Sequence, residues 1–247
     1  MWEFALLSIA AFFAGVLNTV AGGGTFLTFP ALVFTGVPVV AANATSTVAV
    51  FPGYFGGALG FRKEIAAFDR KRLVRIVGFT AIGGLIGSLL LLVSSNEAFS
   101  FVVPFLLAAA TLAFAYGAKI QAWASRHAAA RPDGAVSTLL VSVYGGYFNG
   151  GLGIVLLALF SLWGMRDMNE MNALKNFLSL VLSAISVATF AFAGIVAWPQ
   201  AVVMMVAATI GGYAGAPLAR ALPQSVVRGT VIVVGAVMSL IFFLRLF

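Results

Sequence analysis

Two glycine clusters hold the residues best suited to solute chemistry. Gly22, Gly23 and Gly24 follow Asn18 and precede Thr25, while Gly150, Gly151 and Gly153 follow Asn149. Glycine lets a ligand approach the backbone N–H groups, and the next helix start adds the positive end of its dipole; both favour an anion. The competing reading is that these glycines only let helices pack closely. Asn18 and Asn149 stand at matching places before the turns, where a buried amide either caps broken backbone or binds a ligand. Asn43, Thr45, Ser46 and Thr47 come next in the first half, and Asn172, Lys175 and Asn176 in the second. Their hydroxyls and amides serve an anion or cap a helix end. Lys175 sits between apolar segments, where a cation suits an anionic solute unless it snorkels to water about 7 Å away. Tyr54, Tyr144 and Tyr147 read as interface or packing aromatics.

Other chemistries are poorly supplied. The chain has no cysteine and one histidine, His127, so no metal site, cysteine nucleophile or cofactor is expected. Its acidic residues are Glu3, Glu64, Asp69, Glu97, Asp133, Asp167 and Glu170, none in the middle of an apolar segment. That leaves no carboxylate pair for acid–base catalysis and no intramembrane proton relay. Asp167 and Glu170 beside Arg166 read as solvated turn charges. The glycine triplet is followed by no Lys-Ser/Thr and preceded by no strand, so it is not a nucleotide-phosphate loop. An enzyme is not expected.

The elements that must position these residues are set by hydropathy. Of 247 residues, 62% are hydrophobic and 9% charged, against about 25% charged in a soluble domain. The chain is therefore an all-α polytopic membrane protein whose partner is the lipid bilayer. Apolar segments fall at about 2–21, 25–36, 39–61, 73–93, 99–118, 135–149, 153–164, 171–193, 200–219 and 228–247. The first has no basic flank and reads as a retained helix. The segments at 25–36 and 153–164 are too short to cross a hydrocarbon core of about 30 Å.

The net charge of +7 is an orientation signal. Arg62, Lys63, Arg70, Lys71, Arg72 and Arg75 share one loop, and Lys119, Arg126 and Arg131 the central linker. Arg166, Arg220 and Arg228 occupy two further turns, whereas 94–98 and 194–200 have no basic residue. The positive-inside rule places the basic loops in the cytoplasm and both termini outside an inner (plasma) membrane. No nucleic-acid partner is needed to explain the charge.

This threading gives the two halves opposite topologies, and the sequence repeats accordingly. Gly15–Asn18 matches Gly146–Asn149 at an offset of 131, Asn43 matches Asn172 at 129, and Ile82–Gly87 matches Ile210–Gly215 at 128. The last pair reads I-G-G-x-x-G twice, a helix-packing spacing. The expected architecture is two inverted-topology repeats of about five segments with short glycine-tipped hairpins: 1–118, a cytoplasmic linker at 119–134, and 135–247.

The residues Gly15, Asn18, Gly22–Gly24, Thr25, Pro30, Gly36, Pro38, Asn43, Thr45 and Ser46 closely resemble the first hairpin of the TauE/SafE sulfite exporter family. Gly146, Asn149–Gly151, Gly153, Asn172, Lys175 and Asn176 resemble its repeated counterpart. The resemblance covers essentially the whole chain. It implies an inner-membrane permease for sulfite or a small organosulfur anion. With the two inverted halves, the favoured reading is a secondary carrier, in the export direction, working by alternating access. A permease for another small anion or solute, or a non-transporting scaffold, are the competing readings. A homodimer is compatible with the sequence.

Overall fold

A computed structural model describes residues 2–20, 23–126, 134–221 and 224–244. Gly22, His127, Arg131, Asp133 and Arg245 lie outside them. Eleven helices account for the described regular structure: α1 (Trp2–Val20), α2 (Thr25–Phe34), α3 (Val39–Gly60), α4 (Arg62–Ala67), α5 (Arg70–Val93) and α6 (Asn96–Arg126). The second half holds α7 (Ala135–Tyr147), α8 (Leu152–Leu162), α9 (Met168–Phe192), α10 (Trp198–Ala221) and α11 (Gln224–Leu244). Each expected segment has its helix. Two boundaries differ notably: the first basic loop contains the short α4, and α6 continues to Arg126, carrying helix into the linker.

By length and hydropathy alone, α5, the Asn96–Ala113 part of α6, and α9 are long and apolar enough to cross a membrane among the described residues. Val74, Ile82, Leu89 and Val93 on α5, with Phe101, Phe105 and Leu112 on α6, are exposed large hydrophobics. Such a surface belongs against lipid. At ten and eleven residues, α2 and α8 reach only about 15–17 Å. Both stop in the same way. Gly36 has φ +85° and Gly164 φ +81°. Their N–H groups bond the carbonyls of Val33 and Ser161, and those of Val37 and Met165 reach back to Leu32 and Phe160. That is the Schellman closure, which needs a left-handed residue.

Helices pack in matching pairs across the halves: α1 on α10 and α7 on α5, α3 on α10 and α9 on α5, with α3 against α9 and α6 against α11. Glycine permits the closest of these contacts. A methyl carbon on Gly15 would overlap the carbonyl oxygen of Ala208, and one on Gly211 that of Phe12. On the other side, Gly87 lies on the Val143 carbonyl and Gly83 on Ser142 and Leu139. The packing role expected for the I-G-G-x-x-G stretches therefore describes Gly83, Gly87 and Gly211.

Loops sort to two ends. Pro38, Val40, Ser94–Glu97, Gly194 and Ile195 surround one surface hollow, and Asn96 accepts the Val40 N–H at 3.2 Å. This end is the one whose loops have no Lys or Arg. At the other, basic end, Phe68, Leu73 and Ile76 pack with Trp163, Met165 and Met171. Asp69 caps α5 through the Arg72 N–H (2.8 Å), and Asp167 caps α9 through those of Asn169 (2.7 Å) and Glu170 (3.1 Å). The turn charge at Asp167 is thus a helix cap.

Candidate functional site

A cavity of about 570 Å³ lies between α1, α3, α8, α9 and α10, drawing on both halves of the chain. Five of the residues expected from sequence line it: Asn18, Gly153, Asn172, Lys175 and Asn176. Lys175 is its cation, and no acidic side chain lines it among the described residues. The Lys175 ammonium donates to Asn172 Oδ1 at 3.0 Å, and Asn172 Nδ2 donates to the Met168 carbonyl at 2.9 Å. These two bonds hold the amine half-buried at the cavity wall, two turns inside α9. The Lys175 stem also passes 3.4 Å from where a Cβ on Gly153 would stand. Gly153 lies in the first turn of α8, so the positive helix end and the ammonium converge on one region.

Asn18 combines the two roles left open for it. It lines the cavity, and its Oδ1 accepts the Gly24 N–H at 2.8 Å. A Cβ on Gly24 would stand 2.7 Å from Asn18 Nδ2, so the cap requires glycine there. Gly23 and Thr25 are buried beside it, and the Gly23 carbonyl accepts the Phe26 N–H at 3.1 Å. None of Gly23, Gly24 and Thr25 is among the cavity-lining residues.

The equivalent turn in the second half is built differently. Asn149 has φ +62°, a left-handed conformation that asparagine tolerates better than most side chains. It is buried, and neither amide atom of its side chain meets hydrogen-bond geometry. Tyr54 lies beside it. Gly151, with φ +70°, starts α8, and the Gly150 carbonyl accepts the Tyr144 hydroxyl. Asn149, Gly150 and Gly151 stay outside the cavity lining.

The polar run at 43–47 lies outside it as well. Asn43 Nδ2 donates to the Tyr147 carbonyl at 2.8 Å. Thr45 Oγ1 accepts the Ala197 N–H at 3.0 Å, tying α3 to the loop before α10. Ser46 pairs with Thr28 at 2.6 Å, and Thr47 donates to the Asn43 carbonyl at 2.9 Å. All four are buried at the bare end.

The cavity instead uses the opposite half of α3, from Val50 to Phe61. Gly53, Gly56, Gly57 and Gly60 recur at the spacing of one helix face and line it, together with Pro52 and Tyr54. Proline supplies no N–H to the ladder and glycine no side chain, so this face presents bare backbone. Tyr54, read from sequence as a packing aromatic, is a wall residue here. Ser179, Thr209 and Tyr213 complete the polar lining from α9 and α10. The sequence signal was the G-x-x-G-G-x-x-G face of α3, which resembles an ordinary packing stripe until its partners are known.

An all-helical chain with a lipid-facing apolar surface and a polar, singly cationic cavity among its helices is the form of a polytopic membrane transporter. The family model for the sulfite exporter TauE/SafE matches residues 7–242. The chain belongs to that family of membrane transporters. It is similar to a probable membrane transporter protein of Haemophilus influenzae, 26% identical over 240 residues that cover 95% of this chain and 92% of that protein. The probable membrane transporter protein ORF9 of a Sinorhizobium species is 24% identical, covering 96% of this chain and 90% of that one. The probable membrane transporter protein YfcA of Escherichia coli K12 is 27% identical, with coverage of 95% and 87%. No solved structure matches the chain at a significant level.

Proposed function

We propose that this protein is a secondary carrier that exports sulfite or a small organosulfur anion across the inner membrane. The carrying observation is the chemistry of the cavity: Lys175, the first turn of α8, three asparagines and four hydroxyl-bearing side chains, two of them tyrosines, with no described carboxylate in the lining. That set offers donors and positive potential to a small oxyanion and would bind a cation poorly. Neutral backbone along the glycine face lets a hydrated solute pass without a charged wall. On this reading the basic end is cytoplasmic and the cavity faces the cytoplasm. A membrane potential negative inside then drives an anion outward without a proton-relay carboxylate. The family name and the matched pairing of helices across the halves favour alternating access between inverted repeats.

The test is efflux of radiolabelled sulfite, and of a small sulfonate, from liposomes containing the purified protein, with a potential negative inside imposed by potassium and valinomycin. Efflux above that of empty liposomes for one of these anions, saturable and blocked by excess unlabelled anion, is expected. No flux for either anion, with flux for another competing solute, overturns the substrate and leaves a permease of different selectivity.

A further inference from the structure

The open cavity takes up only the part of the α3–α9 seam nearest the basic end. The two helices run antiparallel, because Gly57 meets Asn176 while Thr45 bonds the Ala197 amide just beyond α9. Counting outward along this register brings Ser183 level with Val50 and Ser186 level with Thr47. Here the seam is shut. Every α3 residue from 42 to 50 is buried, whereas Gly53, Gly56 and Gly60 are exposed. Ser183 and Ser186 on α9 are both 0% exposed.

Part of this seam is polar and unsatisfied. Among the described residues, eight buried side-chain polar atoms lack a partner of good hydrogen-bond geometry; Asn43, Ser183 and Ser186 on α3 and α9 supply three, and Thr80 on α5 and Asn149, beside Tyr54, supply three more. A buried serine in a helix ordinarily bonds back to the carbonyl one turn earlier, as Ser161 does to Leu157 at 2.9 Å. Ser183 and Ser186 do not. Leaving such groups dry and unpaired is costly, and a native protein keeps them where another state solvates them or a ligand meets them.

Their sequence positions say which state. At the repeat offsets of 128–131, Asn43 corresponds to Asn172, Thr80 to Ala208, Asn149 to Asn18, Ser183 to Tyr54 and Ser186 to Gly57. All five counterparts line the open cavity. We infer that Asn43, Thr80, Asn149, Ser183 and Ser186 form the closed half of the translocation path, which opens at the bare end to pass the same small oxyanion. The inference rests on the carrier reading above. The two halves of the path differ in charge: Lys175 corresponds to Ser46, which is occupied by Thr28. The anion therefore meets a cation on the basic side and only neutral donors on the bare side, an arrangement that holds solute on entry and lets it go on exit.

The natural chain has no cysteine, so single thiols report one position each. Ser183→Cys, Ser186→Cys and Thr80→Cys are made in the full-length protein and treated in intact cells with a charged, membrane-impermeant methanethiosulfonate. No sulfite is added, since it attacks that reagent. Ser88→Cys is the control: Ser88 is equally buried, but its hydroxyl is satisfied by the Leu85 carbonyl at 3.0 Å. Modification of the Ser183 and Ser186 variants at least tenfold faster than the Ser88 variant is expected. Equal protection in variants that elute and melt like the parent overturns the inference, as does modification only in inverted vesicles. Because no substrate is present, the outcomes separate. Labelling without sulfite flux removes the substrate assignment and keeps the path, whereas flux with full protection removes the path alone.

Discussion

Lys175→Met is the most informative single substitution, because methionine keeps the length and apolar volume of the side chain and removes only the charge. In the structure the ammonium has one described partner, Asn172 Oδ1 at 3.0 Å, and among the described residues no acidic side chain lines its cavity. Losing it breaks no ion pair among the described residues and frees one amide oxygen at the cavity wall, so folding stability should change by less than about 1 kcal/mol. The effect on a bound anion is larger. A hydrogen bond to a charged group contributes about 1.5–3 kcal/mol, which corresponds to a rise in KM of about ten- to a hundredfold. The bare Coulomb energy, about 4 kcal/mol at 4 Å with an effective dielectric constant of 20, is an upper limit. An ammonium at a cavity wall is partly screened, and the anion gives up hydration to meet it. The assay is the initial rate of labelled sulfite efflux from liposomes across a range of internal concentrations, with thermal unfolding in detergent run in parallel. Lys175→Arg, which keeps the charge, should stay within several-fold of the parent. If Lys175→Met leaves both KM and maximal rate unchanged while melting like the parent, the ammonium is snorkelling to water. The anion site is then elsewhere.

Substitutions at four further positions test the scaffold. Gly87→Ala drives a methyl into the Val143 carbonyl and should destabilise α5 against α7 by at least about 1–3 kcal/mol. Gly78→Ala on the same helix, with nothing within 4 Å, should leave the melting temperature unchanged or raise it slightly. Thr45→Val removes the acceptor of the Ala197 N–H and should cost about 1 kcal/mol, visible as faster hydrogen exchange at that amide. At Asn149, whose φ is +62°, Gly should be tolerated, whereas Ala should cost about 1–2 kcal/mol in thermal unfolding.

Much of this fold was legible because membrane helices announce themselves by hydropathy and the basic loops mark one end. The ten apolar segments coincide with ten helices, and the short α2 and α8 stand where glycine punctuation placed them. The short α4 escaped notice because Arg62–Ala67 is too brief and too charged to register as an apolar run. The site was legible only in part. Lys175, Asn172, Asn176, Asn18 and Gly153 could be named from residue type and position. The glycine face of α3 could not, since Gly53, Gly56, Gly57 and Gly60 have the same small-residue spacing whether a helix or a void stands opposite. Gly87 and Gly56 look alike in sequence; one lies against a carbonyl and the other faces open space.

The polar run from Asn43 to Thr47 shows why residue type alone stops short. Asn43 and Thr47 pair in the repeat with Asn172 and Asn176, yet the first pair is buried and the second lines a cavity. On the proposed carrier reading, a repeated sequence supplies similar material to both halves of a path, and one conformation opens only one of them. Which half is open depends on how α3 and α9 lie against each other and against α5 and α10, a choice made by the whole bundle. The unpaired hydroxyls of Ser183 and Ser186 are the physical trace of that choice. They leave polar groups of the closed seam unsatisfied, and on the proposed alternating-access reading a seam that parts in every cycle is not sealed as tightly as the glycine contacts between α5 and α7.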